Sequence, residues 1–143
     1  MQWMAWIVVA LAGLATVGCR GGVRDAPAPV PPPPLDAPAK VPADVVVSTN
    51  EPFWQFSVSG ETALLVGIDT RRPLRPTSNE VVLDGRVVTA ADADGSIEAR
   101  LAGRACQDSM SGAWFPYTAR LTLADGTQAS GCARGIDDPP PRP

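Results

Sequence analysis

Three Asp-Gly dipeptides, Asp84-Gly85, Asp94-Gly95 and Asp125-Gly126, each fall between short apolar runs. An Asp-Gly flanked by alternating apolar residues is the strongest short-range signal for a β-hairpin, because both residues accept the backbone twist that joins antiparallel strands. The runs on either side support this. Ile97, Ala99 and Leu101 alternate with Glu98 and Arg100, and Tyr117, Ala119, Leu121 and Leu123 alternate with Arg120 and Thr122. That period of two is the pattern of a half-buried strand. Two-residue turns predict the pairs Val81 with Val88, Val88 with Leu101, Ala90 with Ala99, Leu121 with Ser130 and Ala119 with Cys132. Earlier strands are expected at Phe53–Val58 and Ala63–Ile68, and no amphipathic helix longer than a turn or two is visible. The fold class expected is all-β: a small antiparallel meander of roughly six to eight short strands, closing into a barrel or a sandwich.

The N-terminal part has a different character. Trp3 to Val17 is apolar except for Thr16, a run short of the ~20 residues that span a bilayer comfortably. It ends in Leu14-Ala15-Thr16-Val17-Gly18-Cys19, which resembles the lipobox of bacterial lipoproteins, with Thr16 where Leu is usual. No Lys or Arg precedes the apolar run, another departure from that pattern. The resemblance implies a signal peptide over residues 1–18 and a mature N-terminal Cys19 carrying acyl chains, palmitate among them. Several acyl chains together give stable membrane anchoring where one does not. An uncleaved anchor and an ordinary secretory leader are the alternatives. Arg20, in the place where Asp would favour inner-membrane retention, points to the outer membrane, with the domain facing the periplasm.

Residues 19–43 then form a Pro-, Ala-, Gly- and Val-rich tether that includes Pro31-Pro32-Pro33-Pro34. Proline removes a backbone donor and fixes φ, so this stretch suits a polyproline-II spacer rising about 3.1 Å per residue. Residues 44–136 make one β domain, and 137–143 a Pro-rich disordered tail. With Cys19 lipidated, Cys106 and Cys132 remain, and an isolated pair in an oxidising compartment is expected to form a disulfide. Strict alternation from Leu101 turns Cys106 outward, which predicts a bulge at Gly103.

Two motifs stand out: Asn50-Glu51-Pro52-Phe53-Trp54, and Cys106-Gln107-Asp108-Ser109-Met110-Ser111-Gly112. Together with Gly131-Cys132-Ala133, they resemble an uncharacterised family of bacterial envelope lipoproteins, often found beside the META domain of stress-related envelope proteins. The resemblance implies a place and a fold, without an activity to carry over. Read on their own chemistry, Trp54, Phe56 and Val58 share a strand face, so Trp54 serves as a core plug or as a binding platform beside Asn50 and Glu51. Asp108 caps a turn over Asp108–Ser111 or offers its carboxylate to a ligand. Met110 and Trp114 read as core or lid residues. Asn50, Glu51, Trp54, Asp108, Met110 and Ser111 form the candidate binding surface, and Arg71, Arg72 and Arg75 a small basic loop.

The chain has no His, which removes Ser-His-Asp and Cys-His nucleophile schemes and the common His-based metal sites. A sequence pI near 4.8 and the lack of a Gly-rich phosphate loop argue against nucleic acid and nucleotides. Glu51 and Asp108 are an imaginable glycosidase pair, but so small a domain leaves little room for a sugar cleft. No cofactor and no metal are expected, and no enzymatic activity. The expected function is binding of another envelope component, in stress or assembly. The alternative is inhibition of a lysozyme-like hydrolase through the Arg71–Arg75 or Asp108–Gly112 loop.

Overall fold

The computed structural model describes residues 39–141. The leader, Cys19 and most of the tether lie outside the described residues. Those described form ten strands and no helix: β1 Val45–Asn50, β2 Phe53–Ser59, β3 Thr62–Val66, β4 Arg71–Val82, β5 Gly85–Asp92, β6 Gly95–Ala102, β7 Cys106–Gln107, β8 Trp114–Phe115, β9 Tyr117–Thr122 and β10 Gln128–Gly135. Eight of them close into an antiparallel barrel in the order β1-β10-β9-β6-β5-β4-β3-β2. Apart from the β7–β8 flap inserted between β6 and β9, this is a pure up-and-down meander. Closure pairs the two strands that would otherwise be edges.

Alternation delivers the core. Val45 and Val47, Phe56 and Val58, Val88 and Ala90, Ile97, Ala99 and Leu101, and Ala119 and Leu121 all point inward and are buried. Eight strands leave an interior about wide enough for side chains to fill, and here the aliphatic residues and Phe56 fill it. Trp54 and Leu123 pack against this core from the end of the barrel that carries the β1–β2 and β9–β10 turns.

The registers differ from those expected, in two distinct ways. The β4–β5 and β5–β6 turns sit one residue early, at Leu83-Asp84 and Ala93-Asp94, so Gly85 and Gly95 already belong to strands. This shifts each register by two residues, which preserves faces: Val88 meets Ala99 rather than Leu101, and Val81 meets Arg86. Val81 lies next to the β4–β5 turn and is 66% exposed, so it does not join Val88 and Leu101 in the core.

The last hairpin is corrected by one residue. Gly126 N–H donates to the Leu123 carbonyl at 2.9 Å and Leu123 N–H to that of Thr127 at 2.8 Å, with Gly126 at φ 83°. The loop is therefore three residues long, a turn completed by a left-handed glycine, not the two-residue turn Asp125-Gly126 predicts. A one-residue slip moves every side chain of a strand to the other face. Leu121 accordingly meets Ala129 and Ala119 meets Gly131, while Cys132 lies opposite Thr118, on the outer wall.

The basic loop is not a loop. Arg71, Arg72 and Arg75 lie in β4, where Leu74 is buried between them and Arg72 forms a bidentate ion pair with Asp92. The strand contains Pro73 and Pro76. β4 pairs with β3 only through 71–74 and with β5 only from 75 onward, so each proline sits where one side needs no ladder donor.

The packed unit also reaches further toward the N-terminus than Asp44. Val41 is buried in the core cluster. Arg86, inward-facing and only 8% exposed, donates from Nε to the Val41 carbonyl at 3.2 Å, and Tyr117 Oη donates to that of Lys40 at 3.2 Å. Asn79 Nδ2 donates to the Ala43 carbonyl at 3.0 Å. The end of the tether segment thus stoppers the barrel at the end opposite Trp54. At the other terminus Asp138 is tied back: Gly135 N–H donates to its carboxylate at 2.8 Å and Arg134 Nη1 to its carbonyl at 2.6 Å.

Candidate functional site

The Asn50-Glu51-Pro52-Phe53 stretch is the tight turn between β1 and β2, with Asn50 paired to Phe53 and a cis Glu51–Pro52 bond. Thr49, which the motif reading missed, holds it together. Its side chain is buried; Oγ1 donates to the Pro52 carbonyl at 2.6 Å and accepts from Trp54 N–H at 3.0 Å. A Thr just before a proline turn is a local signal that was available in the sequence.

The second motif forms the β7–β8 flap. The chain leaves the barrel wall after Ala102, where Gly103 N–H donates to the Asp84 carbonyl at 3.0 Å. No bulge is needed at Gly103, since Cys106 belongs to the flap and not to β6. The Cys106–Cys132 disulfide is formed, with Cα atoms 5.5 Å apart, and it staples the flap to the outer face of β10. The one-residue slip of β10 is what presents Cys132 outward for this bond. Gly131 beside it permits close approach: a Cβ there would overlap the Ser48 carbonyl oxygen of β1.

At the tip of the flap, Asp108 organises the turn. Its Oδ1 accepts from Ser111 N–H at 2.7 Å, Met110 N–H at 3.1 Å and Ser111 Oγ at 2.7 Å. Its Oδ2 accepts from Asn50 Nδ2 at 2.9 Å, and the same amide donates to Ser109 Oγ at 3.1 Å. Gln107 Nε2 closes the far side by donating to the Gly112 carbonyl at 3.1 Å. The two motifs, 58 residues apart at this contact, are therefore one latch. Of the two readings for Asp108, the turn cap holds. The Ser111 N–H, then the Ser111 hydroxyl, the Asn50 amide and the Met110 N–H hold its carboxyl below the ordinary carboxylate range, against the opposing effect of partial burial.

That shift sets a pH dependence. A depressed folded-state pKa contributes stability above the unfolded value of about 4 and loses it as pH falls through the folded value. The flap tip should therefore loosen only in acid, below the usual carboxylate range. Asp108→Asn should remove its share of that acid limb and leave the shares of Asp92 and Asp125, whose carboxyls are also held low by hydrogen bonds. Asp108→Ala should cost about 1 kcal/mol at neutral pH. Urea midpoints measured between pH 7 and 2 for the three proteins would check this. An unchanged acid limb in Asp108→Asn would count against the latch.

Between latch and wall lies an open recess of about 570 Å³, lined by Asn50, Glu51, Asp108, Met110, Ser130 and the disulfide, among others. Glu51 is exposed and Met110 is 77% exposed, so both stand at its rim. Trp54 is not part of it. Its half-buried ring lies against Gly67 and borders a separate recess with Arg72, Asp94, Leu123 and Asp125. The structure brings together Asn50, Glu51, Asp108, Met110 and Ser111 and leaves Trp54 as a plug at the barrel mouth. Trp114, half-buried, is the flap residue paired with Gln107. Among the described residues, the buried Nε1 groups of Trp54 and Trp114 have no hydrogen-bond partner. Among the described residues no cluster of His, Cys, Asp and Glu is arranged to hold a metal ion, and no helix is long and apolar enough to cross a membrane.

Fold and site together define a disulfide-stapled, up-and-down β-barrel with a latched external flap. No family model, no curated protein and no solved structure matches the chain.

Proposed function

We propose that this chain is a lipid-anchored protein of the bacterial cell envelope, held at Cys19 and facing the periplasm from the outer membrane. Its barrel serves as a binding module for another envelope component. The lipobox-like Leu14–Cys19, the Pro-rich spacer and the resemblance of both motifs to envelope lipoproteins support the location. The latch carries the binding reading: two motifs distant in sequence converge on one rim, where their hydrogen bonds fix the backbone and leave Glu51 and Met110 free to contact a partner. A rigid rim lowers the ordering cost of association, and an exposed Met adapts to apolar surfaces. Since four hydrogen bonds occupy the Asp108 carboxylate, it is better suited to holding this surface than to exchanging protons.

Inhibition of a lysozyme-like hydrolase is the second reading, now carried by the Asp108–Gly112 tip alone, because Arg71–Arg75 is part of the β4 ladder rather than a loop and Arg72 is ion-paired with Asp92 of β5. Both readings predict the same surface. Crosslinking of the full chain in envelope extracts, compared with a Glu51→Lys/Met110→Asp variant, tests it without touching the latch. Loss of a partner in the folded variant is the expected result. The same partners with both proteins would sink the rim as the binding surface. Lytic assays with the captured hydrolase, if one appears, separate the two readings.

A further inference from the structure

We infer that the tip of the β4–β5 hairpin, Val81-Val82-Leu83, is a lipid-contacting surface that seats in the headgroup–acyl boundary of the bilayer. The inference rests on the lipid-anchor reading for the presence of that bilayer. Its first observation is a residue that folding does not explain. Hairpin tips take Gly, Asn, Asp or Ser for turn chemistry, and here Leu83 occupies the tip at 105% exposure. Val81 is 66% and Val82 36% exposed beside it, so three consecutive aliphatic side chains meet solvent. The β4 edge that carries Val81 and Val82 is uncovered: β4 has lost β3 as a partner after Leu74 and pairs only with β5 from Arg75 onward, while β5 stays paired with β6 as far as Gly85.

The second observation is where the chain enters. Ala39 N–H donates to the Gly103 carbonyl at 3.1 Å, and Gly103 N–H donates to the Asp84 carbonyl at 3.0 Å. The first described residue thus lies two backbone hydrogen bonds from the residue next to Leu83. Buried Val41 and the bonds from Arg86 and Tyr117 fix that entry point on the barrel. Residues 20–38 separate it from Cys19, and at about 3.1 Å per residue in an extended spacer they reach roughly 60 Å at most. An anchored domain therefore samples its own bilayer at a high effective concentration, so a small apolar contact suffices.

Charges around the tip are mixed, with Arg104 facing Asp84 at 3.7 Å. The contact is consequently apolar and does not require anionic lipid. It would also orient the molecule. The Asn50–Asp108 latch lies at the opposite ends of the strands and would face away from the membrane, toward the periplasm.

The test uses the full chain, reconstituted in phosphatidylcholine vesicles whose acyl chains are brominated near the headgroup. Leu83→Trp is compared with Ile68→Trp, another highly exposed position (Ile68 is 85% exposed) at the latch end, after subtraction of the native Trp signal. Quenching of Trp at position 83 at least about twofold stronger than at 68 is expected for a side chain in the interface. Equal quenching at both positions, or none at 83, overturns the inference. Absence of quenching with concentration-dependent crosslinking through position 83 would assign the tip to a second copy instead. Mass spectrometry of Cys19 in the same samples tests the anchor separately: an acylated chain without quenching at 83 sinks the contact alone. Quenching without acylation sinks the anchor alone.

Discussion

Replacing Cys106 and Cys132 together with serine should lower the free energy of unfolding by roughly 3.5 kcal/mol, from the loop-closure entropy of a crosslink spanning 26 residues. The segment between them contains the flap and β9, so the bond restrains both an external element and one strand of the wall. A domain of this size has on the order of 5–10 kcal/mol in total, and the loss should move the urea midpoint by about 2 M. Losses should not be uniform. The β7–β8 ladder is only two residue pairs, and without the staple it depends on the Asn50–Asp108 contact. Amides of Cys106–Phe115 should therefore lose hydrogen-exchange protection before those of the barrel. A midpoint within experimental error of the parent would show that the disulfide closes a loop already restrained when unfolded.

Phe56→Ala should cost about 4 kcal/mol and bring the domain close to its unfolding limit at ambient temperature. Phe56 is the largest fully buried side chain, and its register neighbours are Val47 and Leu65, both buried as well. In a helical core, neighbouring elements can slide to reduce a cavity. A closed barrel has its circumference set by strand number and register, so its walls cannot move in without breaking ladders. The deletion should therefore lie toward the upper end of the usual large-to-small range. Phe56→Leu, which keeps most of the volume, should cost about 1 kcal/mol. Equilibrium denaturation of the two variants checks both values. A cost for the alanine variant below about 2 kcal/mol would mean that the barrel contracts.

The contrast between these positions shows how far the sequence could be read. Ile97, Ala99, Leu101 and Leu121 were placed on inward faces, and Phe56 and Val58 on one shared face, by alternation alone, since period two is a local property of an extended chain. Hairpins at the three Asp-Gly signals were legible for the same reason. Their registers were not. Whether Asp-Gly occupies the two tip positions or straddles the tip and the next strand depends on the neighbouring ladders, which differ at each turn. At the last hairpin one extra loop residue reversed β10 and turned Cys132 outward. Arg71–Arg75 failed for a related cause: prolines signal irregularity unless the strand is unpaired on one side, and only the barrel topology makes it so.

For the site, local chemistry offered a turn cap as one of two readings of Asp108, because a carboxylate two and three residues before free N–H groups has an obvious use. It could not show that Asn50 donates to the other carboxylate oxygen, or that Trp54 turns away to a different recess. The sequence by itself determined the all-β class, the hairpin strands around the Asp-Gly turns, β2 and β3, and the cysteine pair, since these follow from periodicity, turn chemistry and cysteine count; β1 and the Arg71–Arg75 part of β4 it did not show. The tertiary structure alone decided the registers, the outward face of Cys132, the joining of two motifs into one latch and the stoppering of the barrel by Val41. Each of these depends on which distant backbone lies alongside, and closure of the sheet fixes that for all eight strands together.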